Sequence, residues 1–295
     1  MALQEVKEFL RPESSQAAVE LLAKYGNRAV ILAGGTFLHG LASRGLLPNL
    51  DALIDLQQAG LSYVKSEDGA LALGAMATFA DLRDADQLKG TSRFGAVSDA
   101  VRYPPPQIQN MATVGGSVAT ATSLFDLPVA LMALDGTVKA LGPAGFRAIG
   151  LDNFFLDYFE PALQKEELLV EVLLPKLPPR SASAFLKLET NANDLALLNI
   201  GVRITVDESG TCLEARVVVG GGVGKSPVRA VSCESILKGK RCSEKILAEC
   251  AQAVLADVHP VSDHRASAQY RAAVAKVFVR RALLQALGRL GLTVS

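Results

Sequence analysis

The amino-acid sequence predicts an α+β protein that consists of two domains. Helix and strand patterns alternate within residues 1–55, and short strand patterns dominate from residue 137 onward. Helices close the chain after three further strands. Before these strands lies "KLPPRSAS" (residues 176–183), in which two prolines followed by small polar residues are typical of a linker. These observations together divide the chain in two.

The domain boundaries follow from this linker and from the change in pattern. We expect a first domain at residues 1–176, with subdomains at about 1–56 and 57–176. A second, smaller domain is expected at residues 182–291. A chain of 295 residues can bury one large core or two moderate ones.

The first subdomain is predicted to be a compact α/β unit. "SSQAAVELLAKYG" has the pattern of an amphipathic helix, with Ser14 or Ser15 as its N-cap and Gly26 at its end. "RAVILA" is a short apolar strand, "TFLHGLASRG" is a helix that begins at Thr36, and "DALIDL" is the next strand. The predicted order is therefore helix, strand, loop, helix, strand.

The second subdomain combines hairpins with short helices. "LSYVKSEDGALALGA" predicts a hairpin around Glu67, Asp68 and Gly69. "TFADLRDA" and "FGAVSDAVRY" are helical patterns, and the second ends at "YPPPQIQN" because three prolines cannot continue a helix. The later strands are "TVKAL", "FRAIG" and "LLVEVLLP".

The C-terminal domain is predicted to be an antiparallel sheet with helices on one face. Its strand patterns are "AFLKLE", "ALLNIGVRITVD" and "CLEARVVVGG". The closing helices include "SEKILAECAQAVLADV" and "SAQYRAAVAKVFVRRALLQALGRL".

Composition argues against several functional classes. Of the 295 residues, 49% are hydrophobic, and 30 basic residues balance 30 acidic ones, whereas nucleic-acid-binding proteins usually carry a basic surplus. Apolar stretches such as "ALLNIGV" are far shorter than the ~20 residues of a membrane-spanning helix. "MALQEVKEFLRPESS" lacks the apolar core of a signal peptide. We therefore expect a cytoplasmic protein without a nucleic-acid partner or a membrane span.

Cysteines and histidines predict no metal site. The four cysteines are all in the last third of the chain and form no C-x-x-C pair, which argues against a zinc or iron–sulfur centre. Cys242 and Cys250 lie on one predicted helix, where buried reduced thiols are the ordinary interpretation. The three histidines have no metal-ligand spacing. Neither G-x-S-x-G nor H-E-x-x-H occurs, and no catalytic residue is predicted.

Two diglycine loops are the clearest sign of a ligand. They are Gly34–Gly35 in "LAGGTFL" and Gly115–Gly116 in "ATVGGSV". Because glycine allows positive φ and has no Cβ, successive amides can converge on an anion, and an adjoining helix start adds positive charge. Each loop alone also fits a plain turn, but the pair could hold a pyrophosphate. Asp126, thirteen residues after Thr113, is placed to accept hydrogen bonds from ribose hydroxyls.

A third glycine segment, "VVVGGGVGKSP", is similar to a phosphate-binding P-loop but lacks its spacing. The pattern G-x-x-x-x-G-K-[ST] requires glycine where this chain has Val219. Pro227 would also disturb a helix that starts at Lys225. A turn after the third strand of the second domain explains these glycines better.

Four segments together resemble a single family. They are "LAGGTFL", "IQNMATVGGSVATATSLFDLPVALMALD", "EELLVEVLLPKLPPRSASAFLKLETNANDLALLNIGVRI" and "VVVGGGVGKSPVRAVSCESILKG". They resemble the FAD-binding medium subunit of molybdenum hydroxylases, a group that includes xanthine dehydrogenase and carbon monoxide dehydrogenase. The resemblance covers nearly the whole chain. It implies a two-subdomain FAD-binding domain of the PCMH/vanillyl-alcohol-oxidase type, followed by an antiparallel-sheet-plus-helices domain.

The resemblance also implies FAD as the cofactor and assigns residues to it. The first glycine loop would wrap the pyrophosphate from one side, and the second would close on it from the other. Asp126 would contact the flavin nucleotide, and Tyr103 would lie near the cofactor. Leu169 and Lys187 would line the isoalloxazine side. The implied cofactor-binding residues are Ile31, Leu32, Ala33, Gly34, Gly35, Thr36, Phe37, Leu38, Tyr103, Thr113, Val114, Gly115, Gly116, Ser117, Asp126, Leu169 and Lys187.

For Lys187 the residue type permits two interpretations. A cation beside the flavin would favour the anionic reduced ring. The alternative is a solvated lysine on a strand.

The chain departs from the family pattern at several positions. Phe37 follows "GGT" where relatives usually have a polar residue, and Ser117 replaces an asparagine. Residues 121–123 are "ATS" in place of A-S-P, and "ETNAND" (residues 189–194) lacks the arginine that many relatives carry. These departures concern the potential of the flavin and its electron acceptor more than the binding of FAD.

The resemblance implies an FAD-dependent oxidoreductase subunit that transfers electrons. A small [2Fe–2S] partner would relay electrons from a large molybdenum-cofactor partner to this FAD. The flavin would pass them to NAD⁺, a quinone or another acceptor. Two alternatives are a stand-alone flavin oxidoreductase, which would need an acid–base group beside the flavin, and a flavin-free scaffold subunit, which damaged glycine loops would favour.

Overall fold

The computed structural model describes residues 6–47, 49–191 and 194–294. Within these ranges the chain forms three sheets and a two-stranded hairpin, with helices distributed among them. The first five residues of the predicted first domain lie outside the described residues, as do two residues of the "ETNAND" segment.

The N-terminal unit is a parallel sheet with two helices. Its elements are β1 (Glu8–Leu10), α1 (Ser15–Tyr25), β2 (Ala29–Leu32), α2 (Thr36–Ser43) and β3 (Ala52–Asp55). The strand order is β1-β3-β2, and both pairings are parallel because connecting segments return the chain to the same edge. α1 begins where the Ser14 hydroxyl accepts the Ala17 amide and ends at Gly26, whose φ of 53° favours glycine. The predicted order of elements is confirmed, and β1 precedes it.

The second unit is a five-stranded antiparallel sheet. Its strands are β4 (Val64–Glu67), β5 (Ala70–Gly74), β6 (Thr137–Gly142), β7 (Gly145–Gly150) and β10 (Leu168–Leu174). The hairpin between β7 and β10 is formed by β8 (Phe155–Asp157) and β9 (Glu160–Pro161). β10 lies in the centre, in the order β4-β5-β10-β6-β7. The predicted hairpin is confirmed: Asp68 and Gly69 join β4 to β5, while Glu67 is the last residue of β4 and pairs with Ala70.

Five short helices connect β5 to β6. They are α3 (Phe79–Asp84), α4 (Gly95–Ala100), α5 (Pro106–Gln109), α6 (Val114–Ala119) and α7 (Asp126–Ala133). All eight residues of α7 are buried, because it packs on α4 and α6 and also on the sheet of the C-terminal part. Asp126 therefore enters the interior as the first residue of an apolar helix.

The C-terminal part is an antiparallel sheet covered by helices. Its elements are β11 (Ser181–Leu188), β12 (Leu198–Val206), β13 (Cys212–Gly221), β14 (Val228–Arg229), α8 (Val231–Leu237), α9 (Glu244–Ala253) and α10 (Ala268–Arg289). Every residue of β12 is buried, because α7 and α10 both pack against this strand. The mostly apolar segment "LNIGVRITV" thus reflects a strand that is covered on both faces, in which Asn199, Arg203 and Thr205 are buried polar residues.

Ion pairs join the two parts. Asp99 on α4 lies 2.6 Å from the guanidinium of Arg289 on α10 and also accepts the backbone amide of Phe185 at 3.0 Å. Arg203 on β12 is almost completely buried and lies 2.6 Å from Asp135, which follows α7. Because a buried charge such as that of Arg203 is tolerated only when paired, removal of Asp135 would be costly, and both contacts connect the two parts.

The cysteines differ from the prediction. Cys233 and Cys250 form a disulfide that joins α8 to α9, so the interpretation of Cys250 as a reduced thiol is wrong. Cys242 does not lie on the helix, because the hydroxyl of Ser243 caps α9 and the helix starts at Glu244. The 17-residue separation of the bonded cysteines carries no recognisable motif, which is why the pattern did not predict the bond.

Candidate functional site

A cavity of about 700 Å³ lies where the parallel sheet meets the five-stranded sheet. Ligand cavities in proteins are typically ~300–1,000 Å³. Twelve of the seventeen predicted cofactor residues line this cavity. They are Ile31, Ala33, Gly34, Gly35, Thr36, Phe37, Leu38, Thr113, Gly115, Gly116, Ser117 and Leu169. The structure thus brings both glycine loops and Leu169 of β10 to one place.

The two glycine loops touch each other through their backbones. A Cβ on Gly34 would overlap the carbonyl of Met111, which precedes the second loop. Gly35 has a φ of 71° and is the N-cap of α2. Glycine is therefore required at 34 by close approach and favoured at 35 by conformation.

The N-terminus of α2 is open toward this cavity. Gly35 provides no side-chain cap, and the amides of Thr36, Phe37 and Leu38 have no acceptor among the residues that the structure describes. The first amides of any helix lack partners within the helix and carry partial positive charge. All three residues line the cavity. This arrangement is suited to an anion such as a diphosphate.

The second loop uses its amides within the protein. The Thr113 hydroxyl accepts the Gly116 amide at 3.1 Å, and the Gly115 amide donates to the carbonyl of Ala75 at 2.8 Å. A Cβ on Gly115 would lie 2.8 Å from the Cβ of Ala75. The second loop therefore forms part of the cavity wall, whereas the amides without an acceptor belong to the first glycine loop and the start of α2.

A smaller cavity of about 200 Å³ adjoins the large one. Asp126 and Lys187 line it, as does Asp194. Some residues line both cavities and so form the partition between them. They are Thr36, Phe37, Ala112, Ser117 and Phe125. The structure places Leu169 on the large cavity and Lys187 on the small one, so the two predicted isoalloxazine residues do not share a wall.

Lys187 is buried and paired with two carboxylates. Its Nζ lies 3.1 Å from Oδ2 of Asp126 and 2.8 Å from Oε2 of Glu189, and its side chain is only 3% exposed. The alternative of a solvated strand lysine is therefore wrong. Burial lowers the pKa of Lys187, but Asp126 and Glu189 outweigh it and hold the pKa above its usual value.

Asp126 is held by the C-terminal part. Besides Lys187 it contacts Asn199, whose Nδ2 donates to Oδ1 at 3.1 Å and to the carbonyl of Phe125 at 3.1 Å. Burial raises the pKa of Asp126 to about 6, although Lys187 and Asn199 oppose the shift. Lys187 and Asn199 are cross-strand partners on β11 and β12. The carboxylate of Asp126 in the first part of the chain is thus paired and hydrogen-bonded by side chains of the C-terminal part.

Three predicted residues line neither cavity. Leu32 is in β2, and Val114 is fully buried with its amide bonded to the carbonyl of Ala77. Tyr103 lies behind Lys187: its hydroxyl accepts the Lys187 amide at 3.2 Å, and its ring meets that of Phe185 edge-on. Tyr103 therefore packs against β11 and lines neither cavity.

Sequence reasoning missed two aromatic residues and Asn199. Phe125 lines both cavities and Phe159 lines the large one. Phe37 contacts both rings, stacked on Phe159 at 5.6 Å between centroids and edge-on to Phe125 at 5.5 Å. Phe125 directly precedes Asp126, so its position beside the second glycine loop in the sequence could have identified it. Nothing in the sequence pattern indicated that Phe159 or Asn199 lies near the cavities.

The pKa of Asp126 predicts a pH dependence of stability. Because this pKa of about 6 exceeds the ~3.9 of an aspartate in an unfolded chain, the protonated form favours folding. The resulting contribution to the free energy of unfolding is fully present below about pH 4 and is lost as the pH rises through about 6. Relative to Asp126→Asn, the wild-type free energy of unfolding should fall by roughly 2–3 kcal/mol between pH 4 and pH 7. Urea titrations of both proteins at the two pH values measure these free energies of unfolding. If the difference between wild type and Asp126→Asn does not change with pH, burial does not raise the pKa of Asp126.

Comparison with known proteins agrees with this fold. The family model "FAD binding domain in molybdopterin dehydrogenase" matches residues 4–177, and "CO dehydrogenase flavoprotein C-terminal domain" matches residues 183–286. Fold and site define a two-domain FAD-binding flavoprotein. The chain belongs to the FAD-binding family of molybdopterin dehydrogenases, as the sequence motifs indicated, and the predicted two-part α+β fold and FAD cofactor are confirmed.

Two relatives and one solved structure are similar to this chain over almost their full length. The 6-hydroxypseudooxynicotine dehydrogenase complex subunit alpha of Paenarthrobacter nicotinovorans is 35% identical over 96% of this chain and 95% of its own. The glyceraldehyde dehydrogenase medium chain of Sulfolobus acidocaldarius is 29% identical over 93% and 96%. In the structure of carbon monoxide dehydrogenase from Hydrogenophaga pseudoflava, a chain that is 28% identical superposes with a TM-score of 0.91, covering 96% and 98%. The chain is therefore an oxidoreductase subunit.

The residues of the site fit FAD. The open N-terminus of α2 provides amides for a diphosphate, and two adjoining cavities suit a cofactor whose two ring systems are joined by that diphosphate. The largely apolar lining, with Asp126 and Lys187 at one end, is typical of a cofactor cavity.

Proposed function

We propose that this chain is the electron-transfer flavoprotein subunit of a molybdenum hydroxylase complex. It takes electrons from a small [2Fe–2S] subunit, which receives them from a large molybdenum-cofactor subunit, and passes them to NAD⁺, a quinone or another acceptor. The observation that carries the proposal is the cavity that both glycine loops line, with the free amides of α2 at its wall. The names of the two relatives described above, both dehydrogenase subunits, point the same way.

In this proposal the protein binds and orients, and the bound FAD supplies the redox chemistry. The amides of Thr36, Phe37 and Leu38 bind the diphosphate. Asp126 accepts a hydrogen bond from a hydroxyl of the cofactor, and Lys187 and Asn199 keep its carboxylate in place. The apolar walls exclude water. No acid or base on this chain is required, and the substrate is chosen by the large subunit.

We also propose a cytoplasmic location. Within the described ranges, no helix is both long and apolar enough to cross a membrane.

Affinity purification from the native host, followed by mass spectrometry and metal analysis, tests the assembly. The chain should co-purify with two other polypeptides, with iron and molybdenum, and with FAD rather than FMN as the flavin released. Recovery of a lone flavoprotein that turns over a substrate without iron or molybdenum would replace the proposal by a stand-alone oxidoreductase. A stable complex without flavin would favour a scaffold subunit.

A further inference from the structure

Two residues near the large cavity have an unexpected backbone conformation. Among the described residues, four non-glycine residues have positive φ: Asp68, Ala121, Asp135 and Phe159. Aspartate tolerates this conformation in turns, but it is unfavourable for alanine and for a bulky aromatic residue. The amide of Phe159 donates to the carbonyl of Ala121 at 2.9 Å. The two strained residues therefore hold each other, and such strain is a feature of functional sites.

The strained turn places Phe159 at the mouth of the cavity. Phe159 connects β8 to β9, lines the large cavity and is 58% exposed. Its ring stacks on Phe37, with an angle of 24° between the planes, and Phe37 in turn meets Phe125. These three rings, Phe37, Phe125 and Phe159, form an aromatic clasp that runs from the first glycine loop across to the hairpin.

The C-terminal part anchors the hairpin that carries Phe159. Nζ of Lys225 lies 2.6 Å from Oδ2 of Asp157, and the Tyr158 hydroxyl donates to the carbonyl of Gly224 at 3.1 Å. Lys225 and Gly224 belong to "VVVGGGVGKSP", the segment that is similar to a P-loop. Thus two consecutive residues of the hairpin, directly before Phe159, are bound to this segment.

The same segment also forms hydrogen bonds with the loop that precedes Phe125. The Ser123 hydroxyl donates to the carbonyl of Gly221 at 2.8 Å, and the Gly221 amide donates back to the carbonyl of Ser123 at 2.7 Å. Gly221 has a φ of 85°, and a Cβ there would lie 2.6 Å from Cα of Leu198. The segment thus contacts the chain shortly before two of the three clasp residues, Phe125 and Phe159.

We propose that the aromatic clasp retains FAD in the cavity and that the glycine segment 220–225 is its anchor. The segment binds no nucleotide itself; it slows cofactor release by keeping the hairpin closed over the mouth. This inference rests on FAD binding by the chain. Because the clasp lies at the rim, its loss increases the rate of FAD dissociation.

Phe159→Gly is the central variant, because glycine adopts the positive φ without strain while the ring is lost. The FAD-loaded protein is diluted, and the flavin remaining with the protein is measured over time after rapid filtration. We expect Phe159→Gly to release FAD about tenfold faster than the wild type, the equivalent of a barrier change of about 1.4 kcal/mol. Leu156→Ala is the matched control, since Leu156 is 60% exposed on the same hairpin but lies outside the cavity lining. It should release FAD at the wild-type rate.

The anchor is tested through Lys225→Met and Asp157→Asn. Each should accelerate release several-fold, and the double variant should release FAD no faster than either single variant, because the two side chains act as one contact. A wild-type rate in Phe159→Gly would overturn the clasp, and a wild-type rate in Lys225→Met would overturn the anchor. A wild-type chain that binds no FAD at all is a different result, which would overturn the FAD site and not the clasp.

Discussion

Replacing Gly35 with valine should remove FAD from the purified protein and leave the fold intact. Gly35 has a φ of 71° as the N-cap of α2, and a β-branched residue would turn the chain out of this conformation. The amides that follow it would then point away from the diphosphate. A hydrogen bond to a charged group contributes about 1.5–3 kcal/mol, so the loss of two corresponds to a roughly 100- to 20,000-fold weaker affinity. The measurement is the flavin content after gel filtration, with circular dichroism to check folding.

Gly45→Val is the matched control for this experiment. Gly45 has a φ of 68°, lies just beyond the other end of α2, does not line the cavity, and a Cβ there would meet nothing within 4 Å. It therefore carries the same conformational cost without touching the site. Gly115→Val is less suitable, because its side chain would strike Ala75 and disturb packing as well as binding. Full FAD content in Gly35→Val would show that the first loop is only a turn.

Replacing Lys187 with methionine should destabilise the protein strongly. The substitution leaves Asp126 buried without its cation, and breaking a buried ion pair on one side costs about 3–5 kcal/mol. Because Asp126 can avoid this cost by taking up a proton, the loss should be larger at pH 8 than at pH 5. Urea unfolding at the two pH values measures it.

The double variant Lys187→Met with Asp126→Asn separates stability from a role at the flavin. Removing both charges should recover more than half of the lost stability, since no unpaired aspartate remains at this position. If Lys187 also acts on the bound flavin, the double variant will be folded yet have a lower flavin midpoint potential than Asp126→Asn alone. Equal potentials would limit Lys187 to its ion pair.

Local sequence signals predicted most of the fold. The cap at Ser14, the glycine at the end of α1 and the Asp68–Gly69 turn are all decided by neighbouring residues, and the structure confirms them. β1 was missed because three residues carry no periodic pattern. The Cys233–Cys250 bond was missed because it depends on how α8 packs against α9. The predicted domain boundaries stay predictions.

The site was predictable only where its features depend on residues that are close in sequence. Glycine pairs identified both loops, because close approach and positive φ demand that residue type. Nothing in the neighbouring sequence indicated that amides of the second loop would donate hydrogen bonds to the carbonyls of Ala75 and Ala77. Asn199 lies 73 residues from Asp126 and carries an ordinary strand pattern, so only the packing of β12 on α7 brings them together.

The sharing of Asp126 between the two domains limits how this protein can be rebuilt. The carboxylate begins α7, while Lys187 and Asn199, which neutralise and orient it, are cross-strand neighbours on β11 and β12. A chimera that joined the first domain of one relative to the second domain of another would inherit an acid from one parent and its counter-ion from the other. We therefore expect recombination at the proline-rich linker to preserve this ion pair only between parents that match at these three positions.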